Sequence, residues 1–284
     1  MDITYNSGAV ILQNAEDFDA DKIFDCGQCF RWEKKGDAWD GIAMGRKLSL
    51  LQDGTCVRLF CGTDDFENVW RRYFDLDRDY ALVRQSLSTD PYMKKACDFG
   101  KGIRILRQEP WEALCTFIIS QCNNIPRIKG IVERLCSLFG EEIGEGEHAF
   151  PTPERIARLE VETLAPLRAG YRASYIISAA RAVDAGELDL DALASGSADD
   201  AQRALLNMPG IGKKVAGCVM LFGLGMLEAF PVDTWMKKAL KTYFEPGFDP
   251  AVFAGNAGIA QQYIFYYSRW GDSLSAEKTA GKCE

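Results

Sequence analysis

The hydrophobic period of this chain changes once, and that change bounds the fold. Between residues 28 and 61 the apolar positions come in short β-type runs at 29–32, 38–44 and 47–52. Lys35-Gly36-Asp37 and Asp53-Gly54 separate them as hairpin turns. Thr63, Asp64 and Asp65 then open a helix whose apolar residues Phe66, Val69, Trp70, Tyr73 and Phe74 keep helical spacing. From about residue 100 the i, i+3, i+4 pattern is almost continuous, over 110–122, 126–139, 153–158, 171–183, 198–207, 213–222, 234–243 and 256–270. Gly/Pro or acidic stretches at 140–152, 184–190, 208–212 and 223–231 break it. The pattern predicts an α+β chain. An N-terminal antiparallel β-sheet domain with helices covers 1–100, an α-helical domain covers 101–272, and a small polar tail over 273–284 is expected to fray.

Composition removes several classes of chemistry. The 284 residues include a single histidine, His148, in a Gly/Glu-rich stretch, so a Ser-His-Asp triad or a polyhistidine metal site would have to rest on that one residue. Any catalysis must come from Lys, Asp, Glu, Cys or the backbone. The ten cysteines are scattered through apolar segments, which suits reduced, buried thiols better than a disulfide framework. Cys26 and Cys29 form a C-x-x-C pair without a second pair or a nearby histidine, so no metal site is expected there. With only Cys283 near its C-terminus, the chain has no four-cysteine iron–sulfur loop. There is no basic-then-apolar N-terminus, and no apolar run approaches the roughly 18 residues of a membrane span, so the chain is expected to work inside the cell without membrane partners.

The most informative stretch is Leu205-Leu206-Asn207-Met208-Pro209-Gly210-Ile211-Gly212-Lys213-Lys214. A helix ends, Pro-Gly-Ile-Gly turns the chain, and a second helix begins. Gly210 and Gly212 permit positive φ, so that successive amides form an anion-binding nest at a helix start, suited to a DNA phosphate. A nucleotide-binding P-loop is excluded, because the first glycine of G-x-x-x-x-G-K-[ST] is Asn207 here and no Ser or Thr follows Lys213. An ordinary turn between helices remains the alternative. Downstream, Pro231-Val232-Asp233 precedes the apolar series Trp235, Met236, Ala239, Leu240 and Tyr243, so Asp233 sits where a helix N-cap belongs.

The hairpin, Lys214, and Pro-Val-Asp about nineteen residues later resemble the helix-hairpin-helix, Gly/Pro-Asp DNA glycosylase superfamily. Further stretches resemble its 8-oxoguanine DNA glycosylases: Gly27-Gln28-Cys29-Phe30-Arg31-Trp32, Asn123-Asn124-Ile125-Pro126-Arg127-Ile128 and Gly170-Tyr171-Arg172-Ala173. The resemblance runs in order over roughly residues 20–270. It implies excision of the base followed by strand cleavage, with duplex DNA containing oxidised guanine as partner, a monomeric enzyme and no dissociable cofactor.

The resemblance also implies roles. Lys214 would attack the deoxyribose C1′ and form a Schiff base, and Asp233 would stabilise the cationic sugar. Gly27 would offer a backbone carbonyl to the N7 hydrogen that 8-oxoguanine carries and guanine lacks. Gln261 would read the Watson–Crick edge, with Phe265 and Cys218 covering the two faces of the extruded base. Tyr171 would wedge into the emptied stack, Arg127, Arg172 and Asn123 would meet the orphaned cytosine, and Gly210 and Gly212 would hold phosphate. Two positions depart from the family pattern. Cys122-Asn123-Asn124 stands where familiar relatives have Asn-Asn-Asn, and Trp235 stands for a common histidine. From the residues alone Asp233 reads first as a plain cap and Phe265 and Cys218 as core, while Gly27 reads equally as a turn glycine.

The net charge of −8 opposes a polyanionic partner, but Arg127, Lys129, Arg168, Arg172, Lys213, Lys214, Lys237, Lys238 and Lys241 cluster around these motifs. Three alternatives stay open: a related glycosylase for another damaged purine, a non-catalytic DNA clamp, and a thiol oxidoreductase at Cys26 and Cys29, which would require a depressed thiol pKa.

Overall fold

A computed structural model of the chain describes residues 1–271, so the tail expected to fray lies outside the described residues. The fold is α+β. Six strands, β1 (Asp2–Asn6), β2 (Ala9–Gln13), β3 (Trp32–Lys35), β4 (Ala38–Ala43), β5 (Arg46–Asp53) and β6 (Cys56–Leu59), form an antiparallel sheet in the order β1-β2-β6-β5-β4-β3. The turns fall where the glycines predict, since Lys35 pairs with Ala38 and Asp53 with Cys56. Two features differ from the sequence reading. The run at 29–32 becomes strand only at Trp32, and β1 and β2 extend the sheet beyond the predicted meander. In β1 only Ile3 is more than marginally covered, so the strand lacks the alternation that would reveal it.

Trp32 centres the core beneath this sheet. It stacks on Phe24 with ring centroids 4.1 Å apart, and its indole N–H donates to the Tyr73 hydroxyl at 2.8 Å. A Cβ on Gly41, the cross-strand partner of Trp32, would stand 2.2 Å from the indole, so only glycine fits there.

The helical core is built around Pro110–Ile119, in which every residue from Trp111 on is buried. A helix buried on all sides belongs at the centre of its layer. Ile125–Phe139, Pro153–Ala157, Arg172–Asp184, Ala198–Leu206, Lys213–Cys218, Thr234–Tyr243 and Ala257–Tyr266 follow the predicted segments closely. Tyr80–Leu87 and Pro91–Phe99 are additional, capped by Asp79 and Asp90, and Asp90-Pro91 is an N-cap and first-turn signal present in the sequence. No helix among the described residues is long and apolar enough to cross a membrane.

The loop before β3 touches both cores. Cys26 and Phe30 pack into the helical core, while Cys29 and Trp32 pack into the sheet core. Beside it, Arg31 Nη1 lies 3.8 Å from Glu112 Oε2 in the buried first turn of the central helix. Burial raises Glu112 from an ordinary 4.5 to about 7, against the lowering effect of Arg31. Folding therefore favours protonated Glu112, and that contribution is complete below pH 4.5 and lost as pH rises through about 7. Urea melts across this range are expected to show stability declining by on the order of 1–3 kcal/mol, and Glu112→Gln should flatten the decline.

Candidate active site

The hairpin joins Ala198–Leu206 to Lys213–Cys218. Gly210 has φ +78°, and a Cβ there would stand 2.2 Å from the Tyr175 ring, so conformation and packing both require glycine. Gly212 differs from the expectation. Its φ is −95° and ψ 174°, which any residue adopts, and nothing lies within 4 Å of a Cβ placed on it. One glycine shapes the turn, and the other leaves the start of the second helix uncovered. No side chain among the described residues caps that helix start.

Lys214 is half-buried, and its Nζ donates to Ser120 Oγ at 3.0 Å while lying 5.3 Å from the centre of the Phe117 ring. The Ser120 hydroxyl in turn donates to the Phe117 carbonyl at 2.8 Å, so its lone pairs are left to the lysine. Lys213, by contrast, is exposed. Three residues beyond Lys214, Gly217 admits the Pro231 backbone, since a Cβ on it would be 3.1 Å from Pro231 Cα. That approach brings Asp233 to the same site. Its carboxylate caps Thr234–Tyr243, accepting from the Met236 N–H at 2.8 Å. Neither Ser120 nor Gly217 is singled out by motif, although a glycine inside a helix is a signal of close backbone approach.

A recess of about 70 Å³ is lined by Gly27, Lys214, Cys218, Asp233, Gln261 and Phe265 together with Cys26, Phe117, Phe222, Pro231 and Gln262. The structure thus gathers both proposed catalytic residues and all four proposed base-binding residues. Gln261 is buried, and its Oε1 has no hydrogen-bond partner among the described residues. An unpaired buried acceptor is costly unless a ligand supplies a donor. Burial raises the Cys218 thiol, with Lys214 opposing and Asp233 adding to the shift. Burial likewise pushes Cys26 up to about 12 and Cys29 well above the usual thiol range. This is opposite to what a redox pair needs.

Gly27 has φ +80°, and the residues around it are immobilised. Gln28, wholly buried, donates from Nε2 to the carbonyls of Ile23 and Arg104 at 3.0 and 2.9 Å and accepts at Oε1 from the Leu106 N–H at 2.9 Å. The sequence gives no hint of this clamp, because two of its partners lie in a distant segment.

The recess shares Gly27, Phe117, Lys214, Asp233 and Phe265 with an outer groove of about 470 Å³ that adds Ser120, Cys122, Asn123, Trp235, Lys237 and Arg269. Asn123 donates to the Ile119 carbonyl at 3.2 Å, and Trp235 is 42% exposed with Lys238 Nζ 5.9 Å from its ring centre. Tyr171 is 53% exposed, as a wedge must be, and Arg127 is exposed at the start of its helix. Arg172 is not. It is buried, donating from Nε to the Gln121 carbonyl at 2.9 Å, from Nη1 to Ala169 at 3.1 Å and from Nη2 to Cys122 at 3.3 Å. A desolvated guanidinium needs those carbonyls, and its plane braces Tyr171 with Cζ 4.5 Å from the ring centre.

Two family models divide the chain between them. Residues 10–114 match the 8-oxoguanine DNA glycosylase N-terminal domain, and residues 115–248 match the HhH-GPD superfamily of base excision DNA repair proteins. N-glycosylase/DNA lyase OGG1 of Arabidopsis thaliana is 32% identical over 270 residues, covering 87% of this chain and 72% of the relative. The chain belongs to the 8-oxoguanine DNA glycosylase family. Among solved structures of such enzymes, the Clostridium acetobutylicum 8-oxoguanine glycosylase/lyase, in complex with double-stranded DNA containing cytosine opposite 8-oxoguanine, has a TM-score of 0.88. It shows 37% identity, covering 96% of this chain and 99% of that one. MBOgg1, in complex with a low-affinity DNA ligand, has a TM-score of 0.88 at 39% identity, covering 94% and 98%.

In this family member the two hairpin glycines should separate by experiment. Gly210→Ala is expected to destabilise the fold by roughly 2 kcal/mol or more in chemical melts, through overpacking against Tyr175 and positive φ. Gly212→Ala should stay within about 0.5 kcal/mol of the parent yet weaken duplex binding, measured by fluorescence anisotropy.

Proposed function

We infer that this chain is a bifunctional DNA glycosylase and abasic-site lyase that removes 8-oxoguanine from duplex DNA in base excision repair. The observation that carries the reading is the recess in which Lys214 and Asp233 face a buried, unpaired Gln261 Oε1. Guanine-type bases offer N1–H and N2–H donors on their Watson–Crick edge, and these would satisfy that oxygen. Phe265 and Cys218 would enclose the base faces, and the Gly27 carbonyl would accept the N7 hydrogen peculiar to the oxidised base.

The chemistry follows from two side chains. Lys214 Nζ, as the neutral amine, bonds to C1′ as the bond from C1′ to the base breaks; the base departs with the electron pair and takes up the proton that the new C1′–N ammonium sheds. The nitrogen lone pair then expels the ring oxygen from C1′, which takes up a proton as a hydroxyl, and leaves a protonated imine that acidifies the C2′ hydrogen. Removal of that hydrogen expels the 3′ phosphate by β-elimination. Asp233, fixed by its cap, holds negative charge near the sugar as positive charge develops there. Outside the recess, the uncapped hairpin helix supports a phosphate contact through Gly210 and Gly212. Exposed Tyr171 suits a wedge braced by Arg172, and exposed Arg127 with Asn123 suits the orphaned cytosine. The enzyme would act as a monomer, without a dissociable cofactor, in the cellular compartment that holds the genome.

Borohydride trapping on a duplex with 8-oxoguanine opposite cytosine tests the reading. The wild type should form a covalent adduct, and Lys214→Gln should form none. Asparagine caps helices as well as aspartate does. Asp233→Asn should therefore melt within about 0.5 kcal/mol of wild type while excision falls by roughly 100-fold or more. Tight binding without an adduct or an abasic product would instead identify a non-catalytic clamp.

A further inference from the structure

Gly27 lies between two peptide carbonyls that are both occupied. Gln262 Nε2 donates to the Cys26 carbonyl at 2.8 Å, and Gln108 Nε2 donates to the Gln28 carbonyl at 2.7 Å. The Gln28 side chain is itself spent on Ile23, Arg104 and Leu106. All three glutamines are buried. The Gly27 carbonyl accepts none of the hydrogen bonds made by the described residues.

Gln262 also has an informative neighbour. Gln261, the preceding residue of Ala257–Tyr266, brings its unpaired Oε1 to the recess that Gly27 lines. Phe265, one turn further along, has a ring carbon 3.9 Å from where a Cβ on Gly27 would stand. One helix therefore carries the edge reader and a stacking face, and through Gln262 it grips the loop that carries the N7 reader.

Rigidity matters here for a specific physical reason. A carbonyl that meets N7–H is attracted, and one that meets the N7 lone pair of guanine is repelled. Repulsion discriminates only if the carbonyl cannot retreat, and a glycine at positive φ without restraint would turn its peptide away. Fixing both flanking peptides removes that escape. We propose that Gln262 is a specificity-determining positioning residue, supported by Gln28 and Gln108: it holds the Gly27 carbonyl at a set distance from Gln261, so that guanine is refused and 8-oxoguanine accepted. The proposal rests on the functional reading above.

The test compares base selectivity with a reaction that needs no base. Binding of duplexes containing 8-oxoguanine or guanine opposite cytosine is measured by anisotropy in a Lys214→Gln background, with and without Gln262→Met. Lyase action on a preformed abasic duplex is measured with Lys214 intact. The expected result is an 8-oxoguanine-to-guanine affinity ratio reduced about tenfold, the worth of one buried hydrogen bond, with a much smaller fall in lyase rate. Gln108→Met, which releases the other carbonyl, should move the ratio in the same direction and carries the test if Gln262→Met does not fold. An unchanged ratio, or a ratio and lyase rate falling together as in general loosening, would overturn the proposal. If the protein with Gln262 intact neither prefers 8-oxoguanine nor cleaves abasic DNA, the functional reading itself has failed.

Discussion

The buried amide of Gln28 joins the segment beneath the sheet to the chain that enters the central helix. Its side chain binds the Ile23 carbonyl beneath the sheet and the backbone at Arg104 and Leu106 on the way to the central helix. Arg104 extends the join, donating to the carbonyls of Phe74 and Asp17 at 2.9 Å and to that of Arg78 at 3.1 Å. Such a network is costly to bury in part and stabilising when complete, so it favours a single arrangement of the loop from Cys26 to Trp32. Side chains from that loop enter both cores, leaving Gly27 at the seam as a wall of the recess. The recess depends on this seam, because the sheet core supplies the loop while the helices supply Lys214, Asp233 and Gln261.

Structural and chemical duties coincide at several of these residues. The hydrogen bond that caps a helix with Asp233 is also what orients its carboxylate, so the local demand for an N-cap fixes the group proposed to meet a developing cation. Ser120 closes the central helix and accepts the hydrogen bond from Lys214 Nζ. Gly217 weakens its own helix but admits the Pro231 backbone, placing the carboxylate segment against the lysine segment. Moving either segment away by a side chain's width would separate Lys214 from Asp233 without altering either residue.

The parts readable from sequence are those set by local conformation. Helical periodicity, hairpin glycines and the Asp cap each arise within a few residues, and Gly210 is needed for the conformation its motif predicts. Arg172 shows where local reading stops. Its identity announces five donors but not their direction, and the direction follows from the carbonyls left over where the Pro110–Ile119 helix ends. That contact also bears on Cys122, which takes φ +47°, a region asparagine occupies more readily than cysteine. Arg172 holds the Cys122 carbonyl in place, so the loop keeps a conformation that its own residue does not favour. Gly212 shows the converse, a motif glycine whose backbone asks for nothing special and whose value lies in the space above it.

The acidic balance of the chain then becomes consistent with a polyanionic partner. Among the charged side chains lining the outer groove, Lys214, Lys237 and Arg269 face Asp233 alone. Elsewhere many acids are neutralised locally, as Glu145 is by Lys47, Asp75 by Arg78 and Arg107, and Asp17 by Arg84. At physiological ionic strength the field of distant carboxylates decays over about 8 Å, so a phosphate entering the groove responds mainly to the charges that line it. Association with DNA should therefore draw on few phosphate contacts and on extrusion of one base, rather than on a broad basic surface. A protein built this way would have little affinity to spend on undamaged duplex, and on the proposed reading discrimination would fall to the recess and to the loop that carries Gly27.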